Sequence, residues 1–351
     1  MAYTSKTIDF KGVNDKLMND PWSLMDRLGL KYRRAGKIAY VKGYPASGDN
    51  SFVVFCQSGT FKDFSGGKQG DLIDLIGVAL NFSNQLESLK WANAYLGHGE
   101  VTQLDPEVAR RAHVRREQER QRHQAQQDER SRKMVGYWAT LPAIGGTVVE
   151  TYLREARGIP LDLLGKLPDV LHYEARAEHA DDETGEVTYW PAMVAAIYRG
   201  SQPLGIHRTF LQPDGSGKAP VRPSKKMYGQ MRGGAIRLTR GASGLTPKDA
   251  LRRGVKTPLL LGEGIETVLS AACAVPEYRA WAAGSLGNLD IAWPEFVSDV
   301  ILLKDNDWKP PAMKRFEAIE AHWRQLAKAR GGRVKIASAA VGSDFNDWIV
   351  A

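Results

Sequence analysis

The segment VILLKDND, Val300 to Asp307, decides the fold. Four apolar residues lead through Lys304 to Asp305 and Asp307, which stand two positions apart. A continuous apolar run of this kind is typical of a parallel strand that is buried on both faces. Close carboxylates repel each other and raise each other's pKa, so a bound cation would explain the pair. A solvated turn is the alternative, because Asp and Asn are also common turn residues.

Strands and helices alternate on both sides of this segment. Strands are predicted at TPLLLGEG (257–264), YRAWAAGS (278–285) and RVKIASA (333–339), in addition to the opening one. Helices are predicted at 265–275 and at 310–332, the second opened by prolines and closed by Gly331 and Gly332. This alternation predicts the α/β class, with a parallel sheet flanked by helices.

Acidic residues follow three of these strands. Glu263 lies at the C-terminal end of the first, directly after LLLG. Asp305 and Asp307 follow the third, and Asp344 and Asp347, in SDFNDW, follow the fourth. Ligands of open α/β sheets bind at the carboxyl ends of the strands, so we expect these side chains to converge. Carboxylates with room for water and phosphate predict a site for Mg²⁺ or Mn²⁺.

Glu266 is open to two interpretations. It stands in the first turn of the helix that follows the first strand, where the helix dipole favours a carboxylate. It is therefore as good a candidate for a helix cap as for a site residue.

Three motifs in this order, LGEGIET, LLKDND and SDFND, resemble the Toprim domain over residues 256–351. Bacterial-type primases, topoisomerases and some nucleases share that domain, and this variant is most similar to the Toprim domains of phage and plasmid primases. The resemblance implies a Rossmann-like parallel sheet. It also implies that Glu263, Asp305 and Asp307 are catalytic, and that these three together with Asp344 and Asp347 hold the metal.

The preceding segment, 136–255, is rich in cations and glycine. Its stretch GIHRTFLQPDGSGKA…SKKMYGQMRGGAIRL resembles the basic half of a primase catalytic core. Glycine lets the backbone approach a phosphate closely, and cations bind it. The predicted nucleotide- or DNA-binding residues are Arg208, Lys218, Lys225, Lys226 and Arg232. For each one taken singly, a solvated surface position is the alternative. His207 is either a ligand or base, or a structural residue of a strand.

Residues 1–100 resemble a primase zinc ribbon that lacks its ligands. The pattern GYPASGDNSFVVF…FKDFSGGKQGDLIDLIG places Tyr44, Ser47, Asp63 and Gly66 at the four ligand positions, and this set cannot form a thiolate or imidazole zinc site. We therefore expect no zinc and a module held by its core. The predicted core residues are Phe52, Phe55, Leu72, Ile73, Leu75, Ile76 and Trp91. Phe61 and Phe64 are also predicted to pack in the core rather than to contact DNA.

Residues 101–135 form a charged helical linker in this interpretation, because 107–133 contain almost no large apolar residues. The whole chain of 351 residues has a net charge of +8, which favours a polyanionic partner. Its two cysteines, Cys56 and Cys273, are too far apart in sequence for a CxxC zinc motif, and they fit a reducing cytoplasm. No signal peptide, membrane span or P-loop is evident, so any replicative helicase is expected to be a separate partner.

The sequence thus predicts a DNA primase-like nucleotidyltransferase that makes primers from nucleoside triphosphates on single-stranded DNA, for a phage, plasmid or other mobile element. Mg²⁺ or Mn²⁺ is the expected cofactor. One alternative is a Toprim nuclease, which would cut DNA without nucleotides. The other is a catalytically inactive accessory protein that binds single-stranded DNA, against which the intact acidic set argues.

Overall fold

A computed structural model of the chain describes residues 10–42, 51–64, 68–97, 106–306, 309–340, 342 and 345–350. The chain divides into two compact units, Met1–Arg122 and His123–Ala351. Within the described ranges, no helix is both long enough and apolar enough to span a bilayer.

The first unit contains a five-stranded antiparallel sheet in the order β1-β2-β3-β4-β5. Its strands are β1 (Tyr32–Ala35), β2 (Ile38–Val41), β3 (Phe52–Phe55), β4 (Thr60–Asp63) and β5 (Gln69–Asp71). Its helices are α1 (Phe10–Leu17), α2 (Pro21–Arg27), α3 (Leu72–Leu80) and α4 (Gln85–Tyr95). The segments KIAYVKGY (37–44) and SFVVFCQSGTFKDF (51–64) predict β2, β3 and β4, and the helical spacing of 70–82 and 84–97 predicts α3 and α4. The short elements β1, β5, α1 and α2 were not predicted.

The core of this unit is close to the predicted one. Six side chains are at most 2% exposed: Phe52, Phe61, Leu72, Ile73, Leu75 and Ile76. Phe55 and Trp91 are only partly buried. Phe64 is 58% exposed, so its assignment to the core is wrong: it lies one residue beyond β4, with the Lys62 ammonium 4.9 Å from its ring centroid.

Of the four predicted ribbon-ligand positions, only Asp63 falls in the described ranges. It is buried at the end of β4, opposite Phe52 of β3. Tyr44, Ser47 and Gly66 lie outside the described residues.

The charged segment predicted as a helical linker belongs to one long helix, α5 (Pro106–Thr140). Its C-terminal part packs into the second unit, where Val135 is buried and the Ser131 hydroxyl donates a 2.7 Å hydrogen bond to the carbonyl of Leu204. The helix therefore continues past the predicted end of the linker at 135.

The second unit contains a four-stranded antiparallel sheet in the order β6-β7-β8-β9. Its strands are β6 (Leu171–Ala180), β7 (Val187–Arg199), β8 (Gln202–Phe210) and β9 (Lys225–Gly229). Beside them lie α6 (Val148–Thr151), which continues as a π-helical turn (Tyr152–Ala156), and a 3-10 turn (Leu161–Leu164).

A five-stranded sheet in the order β10-β12-β11-β13-β14 completes the unit. Its strands are β10 (Ile236–Arg237), β11 (Thr257–Gly262), β12 (Arg279–Ala282), β13 (Val297–Lys304) and β14 (Val334–Ser338). Its helices are α7 (Pro247–Arg253), α8 (Ile265–Ala274), α9 (Pro310–Arg330) and α10 (Phe345–Val350), with a 3-10 turn at Leu286–Asn288. The four strands β11 to β14 pair in parallel, which confirms the predicted α/β class and Rossmann-like sheet. Only the antiparallel edge strand β10 was not foreseen.

The register of the parallel strands determines how their carboxyl ends are aligned with one another. Leu261 of β11 pairs with Leu302 of β13, and Leu302 pairs with Ile336 of β14. Against this sheet, α9 packs Phe316, Ile319 and the fully buried Trp323, which recur along one face of the helix. The strands consequently finish side by side, and the residues that follow them share one edge of the sheet.

We predict that Ile76→Ala lowers the free energy of unfolding of the first unit by about 2–5 kcal/mol, because Ile76 is completely buried and its loss leaves a cavity. Urea titration of the full chain, followed by circular dichroism, measures the change. Phe64→Ala is the matched control in the same unit: its exposed ring should cost no more than about 0.5 kcal/mol. Equal effects of the two substitutions would contradict the assigned core.

Candidate functional site

Two predicted carboxylates lie at adjacent strand ends. Glu263 directly follows β11, Asp305 directly follows β13, and both are partly buried. The carbonyl of Glu263 accepts a 2.8 Å hydrogen bond from the N–H of Gly284, which follows β12. The backbone of Glu263 is thus held by the chain that follows β12.

The end of β13 is also tied to the chain that follows β14. The Asn306 side-chain amide donates to the carbonyls of Ala339 and Gly342, at 3.0 and 3.1 Å. A Cβ on Gly342 would lie 2.4 Å from the Cβ of Asp347, so Asp347, at the start of α10, lies against this same loop. The structure therefore brings Asp347 to the strand-end edge, where its side chain is exposed.

Asp307 and Asp344 lie outside the described residues. Within the described ranges, no group of three or more His, Cys, Asp or Glu side chains is arranged to hold a metal ion. The donors that do lie at the edge, Glu263, Asp305 and Asp347, are all carboxylates. Hard oxygen donors of this type suit Mg²⁺ or Mn²⁺, so the chemistry of the donor set fits a divalent ion.

Glu266 is a buried anion in the first turn of α8. Only 2% of the residue is exposed, and its carboxylate has partners from distant parts of the unit. The Tyr152 hydroxyl donates to Oε1 at 2.9 Å, and the Lys225 ammonium donates to Oε2 at 3.0 Å. The Lys218 ammonium lies 3.6 Å from Oε1. Glu266 is thus more than a helix cap, because it joins two of the predicted phosphate-binding lysines to α8.

The charge of Glu266 depends on these lysines. Burial by itself would raise the pKa of its carboxyl, but the Lys225 and Lys218 ammonium groups outweigh burial and hold that pKa well below its ordinary range. Burial lowers the pKa of Lys218, an effect that Glu266 opposes. The three groups form a compact ionic cluster in which the carboxylate and the two ammonium groups stabilise each other, although the two ammonium groups repel one another.

His207 lies beside this cluster in β8 and is 4% exposed. Burial, with a further contribution from the Lys225 charge, lowers the pKa of His207 to about 4, so the imidazole is neutral at pH 7. Its Nδ1 has no hydrogen-bond partner among the described residues. Burial and the low pKa, which makes the ring a weak base, favour the structural interpretation.

The antiparallel sheet divides the predicted basic set. Thr209 pairs with Lys225 and Arg208 with Lys226, and successive side chains of a strand point to opposite faces. Lys225 therefore points toward Glu266, whereas Arg208 and Lys226 lie on the other face. The Arg208 guanidinium pairs there with Glu174 at 2.9 Å, and the Lys226 ammonium pairs with Asp182 at 2.6 Å.

Arg232, the fifth predicted cation, is exposed in the turn after β9. The structure thus brings together two of the five, Lys218 and Lys225, and does not join Arg208 and Lys226 to them. Sequence reasoning did not single out Tyr152 as a functional residue and missed its bond to Glu266. No local pattern signals that bond, because the two residues are 114 positions apart.

Two family models match parts of the second unit. Residues 258–351 match the Toprim domain, and residues 128–238 match a domain of unknown function, DUF7146. This part of the chain is therefore similar to the Toprim domain, which agrees with its parallel sheet and strand-end carboxylates. Toprim domains generally bind Mg²⁺ through acidic residues.

Among solved structures, the chain is similar to the Aquifex aeolicus primase (zinc-binding and RNA polymerase domains). The identity is 14%, the TM-score is 0.35, and the alignment covers 96% of this chain and 82% of the primase chain. A second similarity is to the iminosuccinate reductase of Paracoccus denitrificans in complex with NAD⁺, at 11% identity and a TM-score of 0.15, over 57% of each chain. No curated protein matches the sequence.

We predict that His207→Gln flattens the dependence of stability on pH. Between pH 6.5 and about 4 the unfolded chain protonates His207 and the folded chain does not, so stability is complete above pH 6.5 and falls as the pH drops. The contribution at stake is on the order of 3 kcal/mol. Urea titrations of wild type and variant from pH 4 to 7.5 measure it. Parallel curves for the two proteins would contradict the buried, neutral His207.

Proposed function

We propose that this protein is a primase-like nucleotidyltransferase of a phage, plasmid or other mobile element. It joins nucleoside triphosphates into a primer on a single-stranded DNA template. The Toprim domain supports the broader class of nucleic-acid-processing enzyme. The choice of primer synthesis within that class rests on the basic strand beside the acidic edge.

The observation that carries this proposal is the contact of β9 with the carboxyl edge of the parallel sheet. Lys225, the first residue of β9, bonds to Glu266 of α8, three positions after Glu263. Two residues further along β9, Met227 packs on Gly284, whose N–H donates to the carbonyl of Glu263. Gly284 has φ +81°, and a Cβ there would lie 2.9 Å from the Met227 sulfur. Cations and carboxylates thus converge on one surface of the unit.

A nucleotidyl transfer needs carboxylates to hold the metal ion and cations to bind the phosphates, and this surface presents both. Glu263, Asp305 and Asp307, with Asp344 or Asp347, would hold the divalent ion, which when bound activates a 3′-hydroxyl and stabilises the departing pyrophosphate. Lys218 and Lys225 keep 30% and 35% of their side chains exposed while paired with Glu266. They are therefore held in place and still accessible to phosphate oxygens.

Glu266 acts here as a positioning residue. An isolated lysine loses much side-chain entropy when it is fixed on a phosphate. Lys225 is already fixed by its bond to a buried carboxylate, so less freedom remains to be lost on binding. The Tyr152 hydroxyl holds the other oxygen of the carboxylate and keeps it turned toward the lysines.

The first unit contributes a zinc-free ribbon-like module, and any replicative helicase is a separate chain that works with this one in the cytoplasm. A Toprim nuclease would use the same carboxylates to cut DNA. Incubation with single-stranded DNA, labelled nucleotides and Mg²⁺ or Mn²⁺ separates these activities, since a primase makes nucleotide-dependent products and a nuclease shortens the template. An inactive DNA-binding protein does neither.

We predict that Asp305→Asn abolishes metal-dependent nucleotidyl transfer with little loss of stability, because it removes a metal-binding charge from the strand-end edge. Labelled primer synthesis with Mg²⁺ or Mn²⁺ measures the activity. Asp299→Asn is the matched control: this aspartate lies near the other end of β13, paired with Arg333 at 3.0 Å, and its loss should leave synthesis unchanged. Wild-type synthesis by the Asp305 variant would refute the site.

We predict that Lys218→Ala and Lys225→Ala together weaken binding of single-stranded DNA and reduce its salt dependence. Each lost phosphate contact lowers the slope of log K against log salt by about 0.7. Fluorescence anisotropy at several salt concentrations measures this slope. Lys226→Ala is the control, since its ammonium pairs with Asp182 on the other face. If the slope changed only in Lys226→Ala, the DNA would lie on the face of the sheet that carries Arg208 and Lys226, and the proposed binding surface would be wrong.

A further inference from the structure

A cavity of ≈ 980 Å³ lies at the N-terminal ends of the parallel strands, whereas Glu263 and Asp305 lie at the C-terminal ends. Its lining includes Arg279, the first residue of β12, and Phe296, which immediately precedes β13. The antiparallel strand β10 delivers Arg237 to the same place. Strand starts and strand ends are on opposite edges of a parallel sheet, so this cavity is separate from the site described above.

The charge of the lining is strongly positive. Five cationic side chains line the cavity, and Asp169 is the one carboxylate among the lining residues. The cations are Lys166, Arg237, Arg240, Lys248 and Arg279. Asp169 is shared by Lys166 at 2.7 Å and Arg240 at 3.2 Å, which leaves the two deepest arginines without it.

Arg279 is a buried cation with neutral partners. It is 1% exposed, and its guanidinium donates to the Thr257 hydroxyl at 2.6 Å, the Leu245 carbonyl at 2.9 Å and the Ser243 hydroxyl at 3.2 Å. Within the described part of the chain, no carboxylate forms an ion pair with it. Burial, with Arg237 and Arg240 nearby, lowers the pKa of Arg279. A buried charge without a counter-ion is unfavourable unless a ligand supplies one.

Arg237 is in a similar position. Its Nη2 donates to the Gly200 carbonyl at 2.6 Å, and its buried Nε has no acceptor among the described residues. The guanidinium lies 5.0 Å from the ring centroid of Trp281, so an aromatic face rather than an anion covers it. It retains unused donors, and a guanidinium presents them in the planar arrangement that phosphate oxygens match.

Much of the remaining lining is apolar or aromatic. Trp138, Leu164, Leu167 and Tyr198 line the cavity together with the arginines. A volume of ≈ 980 Å³ is in the range of small-molecule sites. The lining therefore suits a ligand with an anionic part and a planar apolar part.

A glycine fixes the loop that carries Arg240. Gly241 has φ +64°, and a Cβ there would lie 2.5 Å from the Glu277 carbonyl oxygen. The close packing holds the loop 239–244 against the start of β12. The backbone that carries Arg240 is therefore positioned before any ligand arrives, which reduces the entropy lost on binding.

We propose that this cavity, the arginine cavity, binds a nucleoside polyphosphate as a second site, distinct from the strand-end carboxylates. The phosphates pair with Arg237, Arg240 and Arg279, and the base lies among the aromatic residues. This inference goes beyond the proposed function and does not depend on it, because binding here needs no divalent ion.

Isothermal titration calorimetry of the full chain with ATP, in EDTA, tests the proposal. We expect ATP to bind, and to bind at least tenfold more tightly than inorganic pyrophosphate, which lacks the base. Arg237→Gln with Arg240→Gln should weaken ATP binding at least tenfold. Arg253→Gln, an exposed arginine of α7 outside the lining, should leave it unchanged.

A second double variant separates loss of ATP binding from loss of folding. Arg240→Gln with Lys248→Gln changes only partly or fully exposed groups at the rim, and it should also weaken ATP binding. No ATP binding in EDTA would overturn the proposal, as would ATP binding that both double variants retain. Loss of binding in Lys225→Ala, with full binding in the arginine variants, would assign ATP to the strand-end surface and overturn it as well. If the protein made no primers, the proposed function would fail, but ATP binding in the arginine cavity would still stand.

Discussion

The buried carboxylate of Glu266 is the constraint on which the second unit depends. A charge in that position is tolerated only if cations and hydrogen-bond donors surround it. The chain supplies them from three separate segments, Tyr152, Lys218 and Lys225. Glu266 therefore links the helical turns before β6, the loop after β8 and strand β9 to the start of α8. The antiparallel sheet and the parallel sheet become one unit through this carboxylate and the apolar core that surrounds it.

The same constraint selects which cations are available for phosphate. Lys218 and Lys225 lie on the Glu266 side of the sheet, while Arg208 and Lys226 are committed to Glu174 and Asp182 on the other side. Net charge alone does not distinguish which of these four cations can bind phosphate. The alternation of strand side chains assigns them to different faces, and only one face adjoins the carboxylate edge.

The parallel sheet is electrostatically asymmetric. Carboxylates follow β11 and β13 at one edge, whereas arginines and lysines gather at the edge where β12 and β13 begin. The arrangement separates a surface that suits metal and phosphate chemistry from a cavity that suits an anion alone. A single sheet can thus present two sites of different chemistry without either charge set neutralising the other.

The amino-acid sequence determined most of the Toprim-like part, because its signals are local. Continuous apolar runs, the proline and glycine boundaries of α9, and acidic residues immediately after strands each depend on a few neighbouring positions. They suffice to predict Glu263 and Asp305 at the ends of neighbouring parallel strands. The first unit's core was also predicted, except at residues such as Phe64, which the end of a strand leaves exposed.

Only the tertiary structure decided the rest, because the deciding contacts are long-range. Glu266 was equally a cap or a site until Tyr152 and Lys225, distant in sequence, were seen on its two oxygens. The five predicted cations could not be divided until the pairing of β8 with β9 fixed which side chains share a face. The arginine cavity had no sequence signal at all. Arg237 and Arg279 meet because β10 joins β12 as an antiparallel edge strand, and a pairing between residues so far apart is set by packing, not by local pattern.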